Sequence, residues 1–405
     1  MKRVELNVYR IYLIKTARWL MLTTPYVPLF MAENGIDKSG YSQLAAIQAL
    51  AIIVMEIPSG YLGDLIGRKK TLVLGSLLGV IGYGLYALST SYLGFLPAMV
   101  ALGVGQSLIS GSDSALLYET LLALKRQGQY ARYEGRVIAL GSLMETIGAP
   151  LGGMLALISL RTPFVAQAVV ALIALPAALT LVEPQQPGPG FARSLNLLPA
   201  LRQSLLADRR LLLLVVYSAL IGAATYTMAK AVPYWYSEVV QASAVELGLF
   251  WSLLNLSAAL LSGQAYRVEP LVRRSVFMPA IAAVVVAGFV GLASLPMYPA
   301  MAVLLLFYCG RGLATPILKN YINEQTPSPV RATVLSVRMF LVYLLFAALF
   351  PLMGQVGDSL GWSHALLVAA SVFALLCGVA LAGFALLAKT AETSGVNDPT
   401  RCDKH

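Results

Sequence analysis

Long apolar runs alternate with short polar connectors along the chain, near residues 8–31, 41–63, 71–90, 93–117, 135–158, 163–182, 210–235, 244–264, 276–295, 298–319, 332–355 and 363–388. A membrane-crossing helix needs about 20 mostly apolar residues. Each run therefore predicts one membrane helix, and the twelve together predict an all-α membrane protein. The first run carries Lys15 and Arg18 and has no small-residue cleavage pattern. It is expected to stay as a span and not to be removed as a leader.

The longest polar connector, Glu183 to Arg210, opens Glu183-Pro-Gln-Gln-Pro-Gly-Pro-Gly, a composition that supports neither helix nor strand. It divides the chain into an expected six-helix bundle over 1–183, a linker over 184–209, a second six-helix bundle over 210–390 and a tail over 391–405. Features recur between the halves. Ser59-Gly60 and Ser262-Gly263 each end a span before a basic loop, and Gly105-Gln106 with Glu119 is echoed by Gly310-Arg311 with Glu324. Two related bundles around a central cavity are a common transporter design.

Composition agrees: of 405 residues, 58% are hydrophobic and 12% charged, and mean hydropathy is +0.74. Soluble domains hold about 25% charged residues, so an ordinary soluble enzyme is excluded. The net charge of +10 would point to nucleic acid in a soluble chain. Here 22 of the 29 Lys and Arg fall in connectors on one side, two (Lys38 and Arg161) on the other, and five (Lys15, Arg18, Lys230, Arg311, Arg338) inside spans. That bias places the basic loops and both termini in the cytoplasm and makes a nucleic-acid partner unnecessary. Cys309, Cys377 and Cys402 form no metal or disulfide pattern. No phosphate-binding loop, zinc motif or cofactor fingerprint appears, so no cofactor and no enzymatic activity are expected.

Between spans two and three the chain reads Gly60-Tyr61-Leu62-Gly63-Asp64-Leu65-Ile66-Gly67-Arg68-Lys69-Lys70. This resembles the loop signature of the major facilitator superfamily, and its place between spans two and three of twelve makes the resemblance specific. The resemblance implies a gate in which Gly60, Asp64, Gly67, Arg68 and Lys69, with Glu119 and Arg136 by position, latch the halves in one state. The second-half counterpart has Arg267 where Asp64 would stand, so no equivalent latch is assigned there. Span five carries Gly148-Ala149-Pro150-Leu151-Gly152-Gly153, similar to the antiporter motif of the superfamily's bacterial drug and siderophore exporters with its proline displaced by one. The exporters' Arg in span four is replaced by Gln106.

Ionisable residues inside a membrane are costly and default to function. Five in-span cations face three acids, Glu56, Asp113 and Glu145, leaving a surplus of about two positives. Such a surplus suits an anionic or zwitterionic substrate, since an unpaired buried cation is expensive. Arg18 and Arg311, near mid-depth, are expected to line the substrate path, with Lys15, Trp19 and Trp251 beside them. Lys15 and Lys230 have the alternative of reaching toward an interface. Arg338 is expected at the gate, against Asp64 or Asp113. Glu145 is the leading proton carrier, followed by Glu56 and Asp113; a fixed Glu145–Arg18 ion pair is the competing reading. Trp235 and Tyr236 are expected in an interfacial belt.

These residues lead to an expected inner-membrane, monomeric secondary transporter with protons and a small molecule as partners, exporting an anionic or amphipathic organic compound. An uptake symporter or exchanger for an organic anion, and a lipid or lysolipid translocator, are the alternatives.

Overall fold

The computed structural model describes residues 2–126, 129–184, 208–240, 243–326 and 331–393. Most of the linker and the last part of the tail, with Cys402, lie outside the described residues, as does the side chain of Asp64. Every regular element described is helical. In chain order they are α1 Lys2–Trp19, a 3-10 turn Thr24–Tyr26, α2 Val27–Glu33, α3 Lys38–Ile66, α4 Arg68–Leu88, α5 Tyr92–Ala123, α6 Tyr130–Ala156 and α7 Thr162–Thr180. The second half holds α8 Arg209–Trp235, a π turn Tyr236–Val240, α9 Ala244–Val268, a 3-10 turn Glu269–Leu271, α10 Arg274–Ser294, α11 Met297–Gln325, α12 Arg331–Leu360 and α13 Trp362–Thr393. Nine of these helices meet the length and apolarity needed to cross a membrane.

The first predicted span is not one helix. It breaks between Trp19 and Thr24 and resumes as a 3-10 turn and the seven-residue α2. Pro25 and Pro28, each in the first turn of a short helix, explain the break. A proline has no N–H to give the preceding turn, and it disfavours helical geometry in the residue before it. Backbone freed inside a membrane must find a partner within the protein. The Leu22 N–H donates to Oε1 of the buried Gln167 on α7 at 2.8 Å.

The glycines of α6 receive this broken segment. A Cβ at Gly148 would meet the Met21 backbone at 3.0 Å, and one at Gly152 would collide with the Leu22 carbonyl. The Tyr26 hydroxyl donates to the Ala149 carbonyl at 2.7 Å and also contacts that of Ala244 at 3.0 Å. The motif that resembles an antiporter signature is thus a cradle for the unwound part of the first span.

Helices α3, α4, α5 and α7 pack on one another, with α1 between α7 and α6; α8 to α13 form a second set, and α3–α12 and α6–α9 join the two. At the end remote from the basic loops the two halves meet directly. There Asp358 of α12 accepts from the Lys38 and Ser39 N–H groups at 3.1 and 2.8 Å, and Lys38 Nζ pairs with Glu238 at 2.7 Å. Tyr41 sits edge-on to Tyr234 and Phe350, in an apolar core that unites both halves. This end is sealed.

The two cations at this end are both engaged, which explains why they stand apart from the charge bias. Arg161 lies 5.1 Å over the Phe30 ring and bonds the Ser89 carbonyl, the Ala87 carbonyl and Asn34. The expected aromatic belt is corrected as well: Trp235 and Tyr236 are buried, and Trp235 Nε1 donates to the Leu292 carbonyl at 3.0 Å.

Candidate substrate path and gates

Of the in-span cations, Lys15 is neutralised within its own half. It pairs with Glu134 at 3.0 Å and Asp113 at 3.5 Å and also bonds Ser114. Asp113 and Lys15 therefore occupy each other in this state. Glu134, which the apolar pattern places in a connector, turns inward here and lowers the in-span surplus from two positives to one. Arg338 is buried and donates to Ser218 on α8 through Nε at 2.6 Å and to the Ser218 carbonyl at 3.2 Å. Of its expected partners, Asp113 is held by Lys15 instead, and the side chain of Asp64 lies outside the described residues.

Three cations remain along the path: Arg18 in the last turn of α1, Lys230 on α8 and Arg311 on α11. Among the described residues none has a carboxylate at ion-pair distance. The Arg311 guanidinium lies 5.3 Å over the Tyr308 ring, and Tyr308 meets the buried Trp251 at 6.5 Å. Arg311 is also the charge that acts on Glu145 of α6. The competing Glu145–Arg18 ion pair is not formed. Arg18 acts instead on Tyr83, Asp113 and Tyr343.

Trp19 is 40% exposed, and a Cβ added at Gly141 of α6 would come within 3.1 Å of its ring. Glu56 of α3 is half-buried near Ser107, whose hydroxyl bonds Ser59 at 3.0 Å. Gln106 on α5 donates to the Tyr343 hydroxyl of α12 at 3.5 Å. The residue that replaces the exporters' arginine thus bridges the halves at mid-depth.

At the basic end, the loop motif is organised by an acid the motif does not contain. Glu183 accepts from the Arg68 and Lys69 N–H groups at 2.7 and 2.8 Å. It thereby caps the positive end of α4, where orphan N–H groups favour an anion. Gly67, between α3 and α4, has φ +97, and a Cβ there would come within 3.1 Å of the Glu183 carboxylate. Arg68 reaches Glu119 of α5 at 3.7 Å. Gly60 has open space around it, and the exposed Arg136 acts on Tyr12 of α1.

The second half has its own version of the α4–α5 pair. Arg274, the first residue of α10, bonds Glu324 of α11 and lies 4.1 Å over the Tyr321 ring. Asn320 links Glu269 and Glu324 at 2.8 and 3.0 Å. Sequence comparison at Arg267 missed this pair; the available signal was that Arg68 and Arg274 each open the helix after a basic loop.

Two helical bundles, sealed at one end and carrying uncompensated charges between them, define a membrane transporter and not an enzyme. The sequence pattern of the Major Facilitator Superfamily matches residues 16–351, and the chain belongs to that superfamily. Multidrug resistance protein 2 of Bacillus subtilis is 28% identical over 153 residues, 38% of this chain and 37% of that protein. Quinolone resistance protein NorA of Staphylococcus aureus is 21% identical over 181 residues, 45% of each. The matched stretches span less than half of either relative's length.

Likeness to solved structures is broader. The nucleoside transporter NupG superposes with a TM-score of 0.74 at 14% identity, over 95% of this chain and 99% of that one. A bacterial homolog of the human lysosomal transporter Spinster, inward-facing and occupied, gives 0.69 at 15%, over 95% and 96%. These likenesses establish the fold.

Proposed function

We propose that this protein is a proton-coupled exporter of a small organic anion or amphipathic compound, resident in the inner membrane with its basic loops in the cytoplasm. The observation that carries the reading is the placement of Glu145 and Arg311. They lie on α6 and α11, in different halves, and among the described residues Arg311 is the charge that acts on Glu145. Rocking of the halves changes their separation, so the acid alternates between a cationic and a neutral setting.

Charge balance couples the two cargoes. Open to the outside, the halves part Glu145 from Arg311 and the acid takes up a proton. Open to the basic end, Arg311 draws near, the proton leaves to the cytoplasm, and the remaining donors of the guanidinium take the anion. A carboxylate left alone in a dry site is neutral only with a proton on it. Arg311 gives a planar fork for a carboxylate, phosphate or sulfonate. The relatives whose names record drug resistance support export over uptake, and the α6 glycine cradle supports kinship with exporters. Gating falls to Gly60, Asp64, Gly67, Arg68, Lys69, Glu119 and Arg136, with Glu183 as an added member.

A thermal-shift panel on purified protein tests the substrate class, setting organic anions against lipophilic cations. A ligand at 100 times its dissociation constant stabilises the folded state by about 2.7 kcal/mol. Anions are expected to stabilise, and Arg311→Ala to remove the effect. Stabilisation by cations alone would contradict the reading and move Glu145 into the binding site.

A further inference from the structure

Lys230 is, with Arg18, one of the two path cations that this cycle does not use. Its Nζ lies 5.7 Å from the centroid of Tyr226, which stands four residues earlier on α8. Helical side chains lean toward the helix N-terminus, here toward the basic end. The ammonium therefore reaches back into the protein, away from the sealed end that is its shorter route to water. A lysine whose only role was to reach an interface would extend the other way.

Its surroundings form a lined corner. The Tyr226 ring meets Tyr343 at 5.6 Å and 87° and Phe346 at 4.6 Å. The Tyr41 hydroxyl donates to the Lys230 carbonyl at 3.4 Å, and the Tyr41 ring packs on Phe350. Phe346 and Phe350 are fully buried, whereas Lys230, Tyr226, Tyr343 and Gln106 are half-buried. The floor is hydrocarbon; the accessible faces offer one ammonium, two phenols and one amide. No acid among the described residues acts on Lys230.

We propose that Lys230, with Tyr226 and Tyr343, forms an anchoring subsite for a planar aromatic monoanion at the sealed end of the path. The proposal rests on the organic-anion reading above and narrows it to an aryl carboxylate or sulfonate. One cation balances one negative charge, so a dianionic phosphate is under-compensated there. Crossed phenol rings make edge and face contacts with a flat body. A lipophilic cation would meet the ammonium at low dielectric and be repelled.

Binding of 2-naphthoate and its neutral analogue 2-naphthamide to the purified full chain tests the subsite. Lys230→Gln is expected to weaken naphthoate at least about tenfold, the scale of a lost bond to a charged group, and to leave naphthamide unchanged. Lys230→Arg is expected to restore naphthoate binding. Tyr226→Leu should weaken both ligands, which a purely electrostatic role would not do. The unliganded melting temperature of each variant reports its folding. If Lys230→Gln binds naphthoate like the wild type while Arg311→Ala loses it, the subsite is wrong and the anion reading stands. If the wild type binds tetraphenylphosphonium and not naphthoate, both fall.

Discussion

Gly67 meets two demands at once, a backbone at φ +97 and a carboxylate where a Cβ would be. With ψ 148 this backbone lies in a region essentially closed to L-residues, at a cost of about 1–3 kcal/mol, and displacing Glu183 would add the loss of the α4 cap. Gly67→Ala is therefore expected to lower unfolding stability in detergent by at least that amount. Glu183→Gln, which keeps an acceptor and loses the charge, should cost less, about 0.3–1 kcal/mol. Chemical denaturation of the two variants checks the order. The glycine and Arg68 were legible because the loop motif is a local pattern. Glu183 was not, because it lies just past the end of α7 and no spacing rule connects it to the loop. For the same reason the sequence could count in-span charges and not pair them: Glu134 falls in a connector by apolarity, and only the fold brings its side chain onto Lys15.

Among elements, the broken first span carries the most information. Its apolar run is continuous enough to read as one helix, yet Pro25 and Pro28 were available signals of a double restart. The glycines of α6 were legible as close-packing positions. That Gly148 and Gly152 face unwound backbone, while Gly153 faces the start of α9, needed the fold. A Cβ at Gly152 has no room against the Leu22 carbonyl, while Gly263 on α9 has open space. Gly152→Ala is expected to destabilise by about 1–3 kcal/mol through overpacking. Gly263→Ala should be neutral or stabilise by up to about 1 kcal/mol through helix propensity. A matched pair of melting curves decides this, and equal effects would remove the cradle.

For the whole molecule, the sealed end depends on a few polar contacts between the halves. Asp358 receives two N–H groups from the start of α3, and Lys38 pairs with Glu238. Hydrogen bonds to a charged group contribute about 1.5–3 kcal/mol each. Asp358→Ala is accordingly expected to shift the population toward opening at this end by about tenfold or more. Distances between spin labels on the two halves at that end report the shift; an unchanged distribution would mean the aromatic core alone holds the seal. The all-helical membrane architecture was legible from hydropathy. The seal was not, because it joins residues some 200 to 320 positions apart.

The central claim, anion export driven by protons through Glu145, is tested most directly in inside-out membrane vesicles with an acidic interior. The probe is 2-naphthalenesulfonate, which is charged at every working pH and so does not leak through lipid as a neutral acid. The account predicts accumulation that needs the pH gradient, collapses with an uncoupler and is lost in Glu145→Gln while binding survives. Accumulation that persists in Glu145→Gln, or a wild-type protein that moves lipophilic cations and leaves the sulfonate behind, would contradict it.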